Sequence, residues 1–225
     1  MSKGKLIIIE GTDGSGKTTQ SKLLFQTLKK HKIKTEILDI PVYDSFTGEL
    51  VGRYLRNDFG RINPYLAATL FAINRYQIKD KLTKWLNEGR VVVLNRYVTA
   101  NQIHQAANLD RKEREKFKNW VAELEYKVLG MPKPDLILFI NMPVEIAIDM
   151  IQHKPAKDRK YARGAKKDLL ESDLLHQKEA LREVIKTAGT LKTARIIDTT
   201  IKGQLLPKQE IADKIWAEVS QYLKI

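Results

Sequence analysis

Apolar positions along the chain follow two rhythms. Continuous, largely β-branched runs occur at Leu6-Ile7-Ile8-Ile9, Val91-Val92-Val93-Leu94 and Leu136-Ile137-Leu138-Phe139-Ile140, the pattern of strands buried on both faces. Glu36-Ile37-Leu38-Asp39-Ile40, stopped by Pro41, and Arg195-Ile196-Ile197-Asp198 read as two further strands. Between them the spacing changes to that of helices. Leu24, Phe25 and Leu28 recur within 17–31, and Phe117, Trp120, Val121, Leu124 and Val128 within 112–128. Asn63-Pro64 opens a long helix expected to reach about Asn87, with proline in its first turn and Gly89 past its end. Pro143 starts another, 169–185 forms a further one, and Pro207 begins a closing helix through Ile211, Ile215, Val219 and Leu223. Strands separated by helices need crossover connections, which predicts an α/β fold: a mainly parallel sheet with helices on both faces.

No internal repeat and no Gly/Ser linker divides the 225 residues, so one domain is expected over 1–225. The compositional break is 154–167, with seven basic residues, one acid and almost no large apolar group. Such a stretch cannot anchor in a core and is expected to be a mobile loop or a charged helix end. The absence of cysteine excludes disulfides, Cys-based zinc sites and thiol catalysis. No apolar run approaches the roughly 18 residues of a membrane span. Met1-Ser2-Lys3-Gly4-Lys5 leads into only a short apolar stretch without a small-residue cleavage site, so neither signal peptide nor membrane partner is expected. The expectation is a soluble cytoplasmic protein. A net charge of +13 suits nucleic acid, a membrane surface, small phosphorylated ligands or merely solvated helix faces, and does not choose among them.

The chemistry is clearest at Gly11-Thr12-Asp13-Gly14-Ser15-Gly16-Lys17-Thr18, which fits G-x-x-x-x-G-K-[ST] between a predicted strand and a predicted helix. The glycines let successive backbone N–H groups curl inward onto phosphate oxygens, and the helix N-terminus adds partial positive charge. Lys17 is expected to reach the β/γ phosphates and the Thr18 hydroxyl to sit on Mg²⁺, with Thr19 completing the ATP-binding segment. Arg96 and Tyr97 follow the strand ending at Leu94, where open α/β sheets bind ligands and a guanidinium can grip a phosphate in two-pronged fashion. Phe71 and Arg75 share one helix face at a spacing of four, an aromatic surface and a donor suited to a flat base.

Further motifs are Glu10-Gly11-x-Asp13, Pro41-Val42-Tyr43-Asp44 with Thr47-Gly48, and Leu70-Phe71-Ala72-Ile73-Asn74-Arg75. Asn95-Arg96-Tyr97, Pro132-Lys133-Pro134-Asp135-Leu136 and Asp168-x-x-Glu171-x-Asp173 complete the series. In order and spacing the chain resembles the thymidylate kinase family of P-loop nucleoside monophosphate kinases, nearly end to end. The resemblance implies a three-layer α/β/α fold with a five-stranded parallel sheet, and transfer of the ATP γ-phosphate to dTMP with Mg²⁺. It implies that Asp13 holds the 3′-hydroxyl and phosphate region, Phe71 stacks on thymine and Arg75 bonds the base. Arg96 would grip the acceptor phosphate with Tyr43 beside it, and Tyr97 belongs to the same substrate-binding group. Asn101 would face the base edge, His104 would stand where an aromatic often excludes a 2′-hydroxyl, and Glu171 would lie near metal or sugar. The basic segment 154–167 takes the position of the family's lid, with Arg159 and Arg163 as its catalytic arginines, since the P-loop has no internal arginine. Family members are commonly homodimers.

Two residues depart from the family pattern. Asn95 stands where Asp is usual, losing a charge at the metal shell or acceptor phosphate. Val42 stands where many relatives have Arg. Together they leave room for an altered substrate range or weak activity. The rivals are a related kinase acting on a deoxynucleoside or another monophosphate, and a nucleic-acid-binding or regulatory P-loop protein. No helix-turn-helix, RRM or zinc pattern favours the latter, so no nucleic-acid partner is expected.

Overall fold

A computed structural model describes residues 3–153 and 174–225. The basic segment 154–167, with Arg159 and Arg163, and Glu171 lie outside the described residues.

Five strands form one parallel sheet in the order β2-β3-β1-β4-β5: β1 Lys5–Gly11, β2 Thr35–Asp39, β3 Val91–Asn95, β4 Leu136–Asn141 and β5 Ala194–Asp198. The sequence places each within a residue or two: β1, β3 and β4 are covered on both faces and apolar at nearly every position, whereas the edge strands β2 and β5 keep polar, partly exposed positions. The central β1 shows this: Leu6 and Ile8 pack into one core, Ile7 and Ile9 into the other. Helix α1, Lys17–Lys30, and the closing helix α9, Lys208–Leu223, cover the second face through Leu24, Leu28, Ile211, Ile215 and Val219. The first face is covered through Leu82, Val98, Ile103, Phe117, Val121, Ala180 and Val184.

Helix α2, Phe46–Leu55, was not expected; Ser45 caps it by accepting from Gly48 N–H at 2.9 Å. The long helix expected over 63–87 is two helices, α3 Pro64–Tyr76 and α4 Lys79–Asn87. The break is a tightened turn in which Ile78 N–H donates to Arg75 O, three residues back. Ile78 leaves helical geometry there, and α4 buries Leu82 and Leu86. After β3 the chain runs through α5, Val98–Ala100, and a π-helical turn, Asn101–Gln105. The helix expected over 112–128 is α6, Arg111–Ala122, extended by a second π turn, Glu123–Val128. Helix α7 spans Val144–Gln152 and α8 spans Leu174–Thr190, while a two-stranded ribbon, Thr200–Ile201 with Gln204–Leu205, precedes α9.

Ion pairs tie α8 to α6: Arg114 meets Glu179 at 2.7 Å and Glu183 at 3.0 Å. The Arg114 hydrogen bond, helped by Arg111 and Arg182, pulls the Glu179 carboxyl down to about 2. No helix among the described residues is long and apolar enough to cross a membrane.

Candidate active site

The loop 11–18 leaves the carboxyl end of β1 and becomes α1. Gly16, at the helix N-cap with φ 84°, supplies no side-chain cap, so the first amides of α1 face the loop with their partial charge uncompensated by the chain. Gly14 has φ 77°, and a Cβ there would stand 2.1 Å from Ala147 O of α7, so a glycine is required twice over, by conformation and by space. Lys17 is buried; its ammonium donates to Thr12 O at 2.5 Å and lies 3.5 Å from Ser15 Oγ, inside the ring of the loop. Thr12 Oγ1 is buried and has no hydrogen-bond partner. A concave loop with a central cation, an uncapped helix end and an unused hydroxyl fits a polyphosphate.

Arg96 begins the turn after β3 in left-handed geometry, φ 69°, a conformation that costs a non-glycine residue about 1–2 kcal/mol. The neighbouring backbone holds it there. Arg96 N–H donates to Ile9 O, Tyr97 N–H donates to Glu10 Oε1 at 2.8 Å, and the Thr99 hydroxyl donates to the same oxygen at 2.8 Å. Burial pushes the Glu10 carboxyl above its ordinary range, against the pull of Arg96 and these two bonds. The Arg96 guanidinium bridges Asp13, which it pairs with through Nη2, and His104, whose Nε2 is 2.8 Å from Nη1. Burial alone would raise the Asp13 carboxyl, but Arg96 holds it well below the usual carboxylate range. Burial, then Arg96, holds the His104 imidazole well below its ordinary value, so the ring is neutral and accepts at Nε2.

Across the sheet edge, Asn74 fixes the segment after Pro41: Val42 N–H donates to its Oδ1 at 2.9 Å, and its Nδ2 donates to Val42 O at 3.0 Å and Thr47 Oγ1 at 3.1 Å. That holds Tyr43 beside Phe71 in a small cluster with Val51, Tyr54 and Leu55, where Phe71 meets Tyr54 edge-on. Phe71 is half-buried, with part of its ring left for another surface.

Arg75 is not a surface cation. It is 1% exposed and held by Glu125 through Nε to Oε2 at 2.6 Å and Nη2 to Oε1 at 2.5 Å. The third nitrogen, Nη1, takes no part in either bond. Asn101 joins the network, its Nδ2 donating to Glu125 Oε1 at 3.2 Å and to Ala68 O at 2.9 Å. Tyr97, expected at the substrate, lies instead wholly in the core, its hydroxyl donating to Pro132 O at 2.9 Å.

Asn95 closes β3 and sits against α1 and β2. Its Nδ2 donates to Thr18 Oγ1 at 3.0 Å and to Asp39 Oδ1 at 3.0 Å, and its Oδ1 is buried without a partner. Among the described residues no group of three or more His, Asp and Glu side chains stands ready for a metal. Mg²⁺ keeps waters and phosphate oxygens and takes only one or two protein oxygens. The Thr18 hydroxyl beside an unpartnered amide oxygen fits such an ion.

The family model for thymidylate kinase matches residues 9–194. The chain belongs to the thymidylate kinase family. It is 30% identical to the thymidylate kinase of Plasmodium falciparum over 145 residues, which are 64% of this chain and 65% of that protein. It is 31% identical to that of Schizosaccharomyces pombe over 146 residues, 64% of each. These matches span just under two thirds of the length of either relative. The Mycobacterium tuberculosis thymidylate kinase is 30% identical over 161 residues, 70% of this chain and 75% of that protein. The solved thymidylate kinase of Candida albicans shares the fold, with a TM-score of 0.72 at 21% identity, over 100% of this chain and 94% of that one. The five-stranded parallel sheet of this chain, with its flanking helices, matches the fold expected from the sequence.

Three residues around the candidate site are not singled out by sequence reading. Glu125 lies four residues after Val121, inside the apolar stripe of its helix, and a carboxylate placed there signals a buried partner. Glu10 belongs to a motif, but its stronger signal is that a carboxylate ending a run of four apolar residues must find donors. Asp39 was read as an ordinary strand residue.

Proposed function

We infer that this chain transfers the γ-phosphate of ATP to dTMP, giving dTDP and ADP, as a single kinase domain. The observation that supports it most is the Arg96–Asp13–His104 cluster beside the phosphate loop, where one guanidinium is held by both the loop's Asp13 and His104. Family membership supplies the ATP-dependent reaction class.

The γ-phosphate lies over the loop between Lys17 and the first amides of α1, which take up its negative charge. Arg96 exchanges part of its pairing with Asp13 for the acceptor phosphate. That oxygen is already anionic near neutral pH, so no general base is needed, and positioning and charge stabilisation carry the rate. Bound Mg²⁺, held through Thr18 and Asn95, would neutralise charge on the β- and γ-oxygens. The base enters between the free face of Phe71 and the Arg75 network. Glu125 occupies two edges of the guanidinium and so aims Nη1, a donor matched to a thymine carbonyl. Neutral His104 backs Arg96 without adding a repelling charge. Arg159, Arg163 and Glu171 keep their proposed lid and sugar-side roles.

An apolar stripe on α3, made of Leu66, Ile73 and Tyr76, supports a homodimer, and ATP dependence supports a cytoplasmic setting. The test is a coupled ADP-release assay with dTMP, dUMP, dCMP, dGMP and thymidine as acceptors. The expected result is fastest turnover with dTMP. Equal ADP release with and without dTMP would overturn the reading, and preference for thymidine would favour a nucleoside kinase.

A further inference from the structure

Asp39 ends β2 and Asn95 ends β3, and the two are register partners in the parallel pair. Asn95 is 7% exposed, yet only its nitrogen end is used. Nδ2 donates 3.0 Å to the Asp39 carboxylate and 3.0 Å to the Thr18 hydroxyl. The amide cannot be turned over, because Oδ1 would then face the Asp39 carboxylate, acceptor against acceptor. So a carboxylate from β2 is tied, through one amide, to the phosphate-loop hydroxyl of α1, and a buried amide oxygen beside them has no partner.

We propose that Asp39 is the carboxylate that positions the divalent cation in this chain, supplying from β2 the charge that Asn95 does not supply from β3. The proposal rests on the phosphate loop binding a metal–nucleotide complex, and not on which acceptor is used. Mg²⁺ takes one or two carboxylates beside phosphate oxygens, directly or through its waters. Here Asp39 is only half-buried and is joined through the Asn95 amide to exposed Thr18. The pairing also explains why an amide at 95 is compatible with function. One carboxylate and one amide can share a hydrogen bond in either order, whereas two carboxylates in this register would repel. Asp39→Asn therefore removes the charge, and the double exchange Asp39→Asn with Asn95→Asp puts one carboxylate back while keeping the bond. Asn95→Asp alone sets two carboxylates together and costs stability without metal.

The experiment is calorimetric titration of the full chain with ATP in the absence of any acceptor, once with Mg²⁺ and once with a chelator. The readout is the ratio of the two affinities. In Asp39→Asn this ratio should fall about tenfold, the usual effect of losing an outer-shell partner, with metal-free ATP binding held within about twofold. The double exchange should recover the wild-type ratio. An unchanged ratio in Asp39→Asn, or a loss of metal-free ATP binding as large as the loss with Mg²⁺, would overturn the proposal and leave Asp39 as a strand-end tie. Because dTMP is absent, a chain that ignored dTMP would lose its acceptor assignment while this result stood unaffected.

Discussion

The Arg75–Glu125 pair can be broken with almost no change in shape by Glu125→Gln. Both side chains are essentially sealed from water, at 1% and 0% exposure, and are joined by two bonds of 2.6 and 2.5 Å. Gln keeps one acceptor oxygen, but its NH₂ must face one of the two Arg75 N–H groups, and the buried guanidinium loses its counter-charge. Breaking one side of a buried pair costs ~3–5 kcal/mol, and the retained oxygen places this case at the lower end, about 3 kcal/mol. For a chain of this size each kcal/mol moves Tm by roughly 2–4 °C, so a fall of about 6–12 °C is expected in differential scanning calorimetry. Replacing both members with apolar residues, Arg75→Met with Glu125→Leu, should recover most of the loss, since well-packed apolar pairs match or exceed buried ion pairs. In kinetics, Glu125→Gln should raise KM for dTMP more than it lowers kcat, because Arg75 then no longer presents Nη1 in a fixed direction. A Tm change under about 2 °C would refute the view that this pair is desolvated and two-pronged.

Three further outcomes follow from the same geometry. Arg96→Gly relieves about 1 kcal/mol of left-handed strain while losing a partly exposed ion pair of similar size, so Tm should stay nearly constant as kcat/KM drops by about a hundredfold or more; retained activity would contradict the phosphate-gripping role. Gly14→Ala must collide with Ala147 O and should weaken ATP binding at least about tenfold, whereas Gly16→Ala, with nothing within 4 Å, should show only about 1 kcal/mol of strain in unfolding; equal effects would contradict the loop geometry. His104 is neutral in the fold with its imidazole held well below its ordinary value, so the unfolded chain gains a proton as pH falls through about 6.5 and stability drops by up to about 1.4 kcal/mol per pH unit; His104→Asn should flatten Tm between about pH 6.5 and 5, and an unaltered slope would contradict the assignment.

Both rhythms of the sequence survive in the structure because each reports burial directly. The three inner strands are legible since a doubly covered strand has no polar side, the two edge strands through short β-branched runs bounded by turn residues, and the phosphate loop since its glycines are demanded by positive φ and close backbone approach. The break between α3 and α4 was hidden because Ile78 and Leu82 keep helical spacing across a turn that only backbone bonding reveals. Helix α2 was hidden by two glycines, Gly48 and Gly52, which lower helix propensity but fit its packed first turns. At the site, the types of residue were readable and their pairings were not. Arg75 reads the same whether it faces solvent or Glu125, fifty positions later. Tyr97 follows Arg96 in sequence but points into the core, because the left-handed turn at Arg96 sends consecutive side chains in different directions. The departure at Asn95 looked like a lost charge, and only the register of β2 with β3 brings Asp39 beside it.

The central claim is that the loop and the pocket beyond Arg96 together pass one phosphoryl group from ATP to dTMP. Phosphorus NMR of the full chain with ATP, Mg²⁺ and dTMP follows that transfer at the atoms concerned. The account predicts that the dTMP resonance decays as the paired resonances of dTDP and ADP grow in equal amounts. Growth of inorganic phosphate and ADP while dTMP stays intact would contradict it.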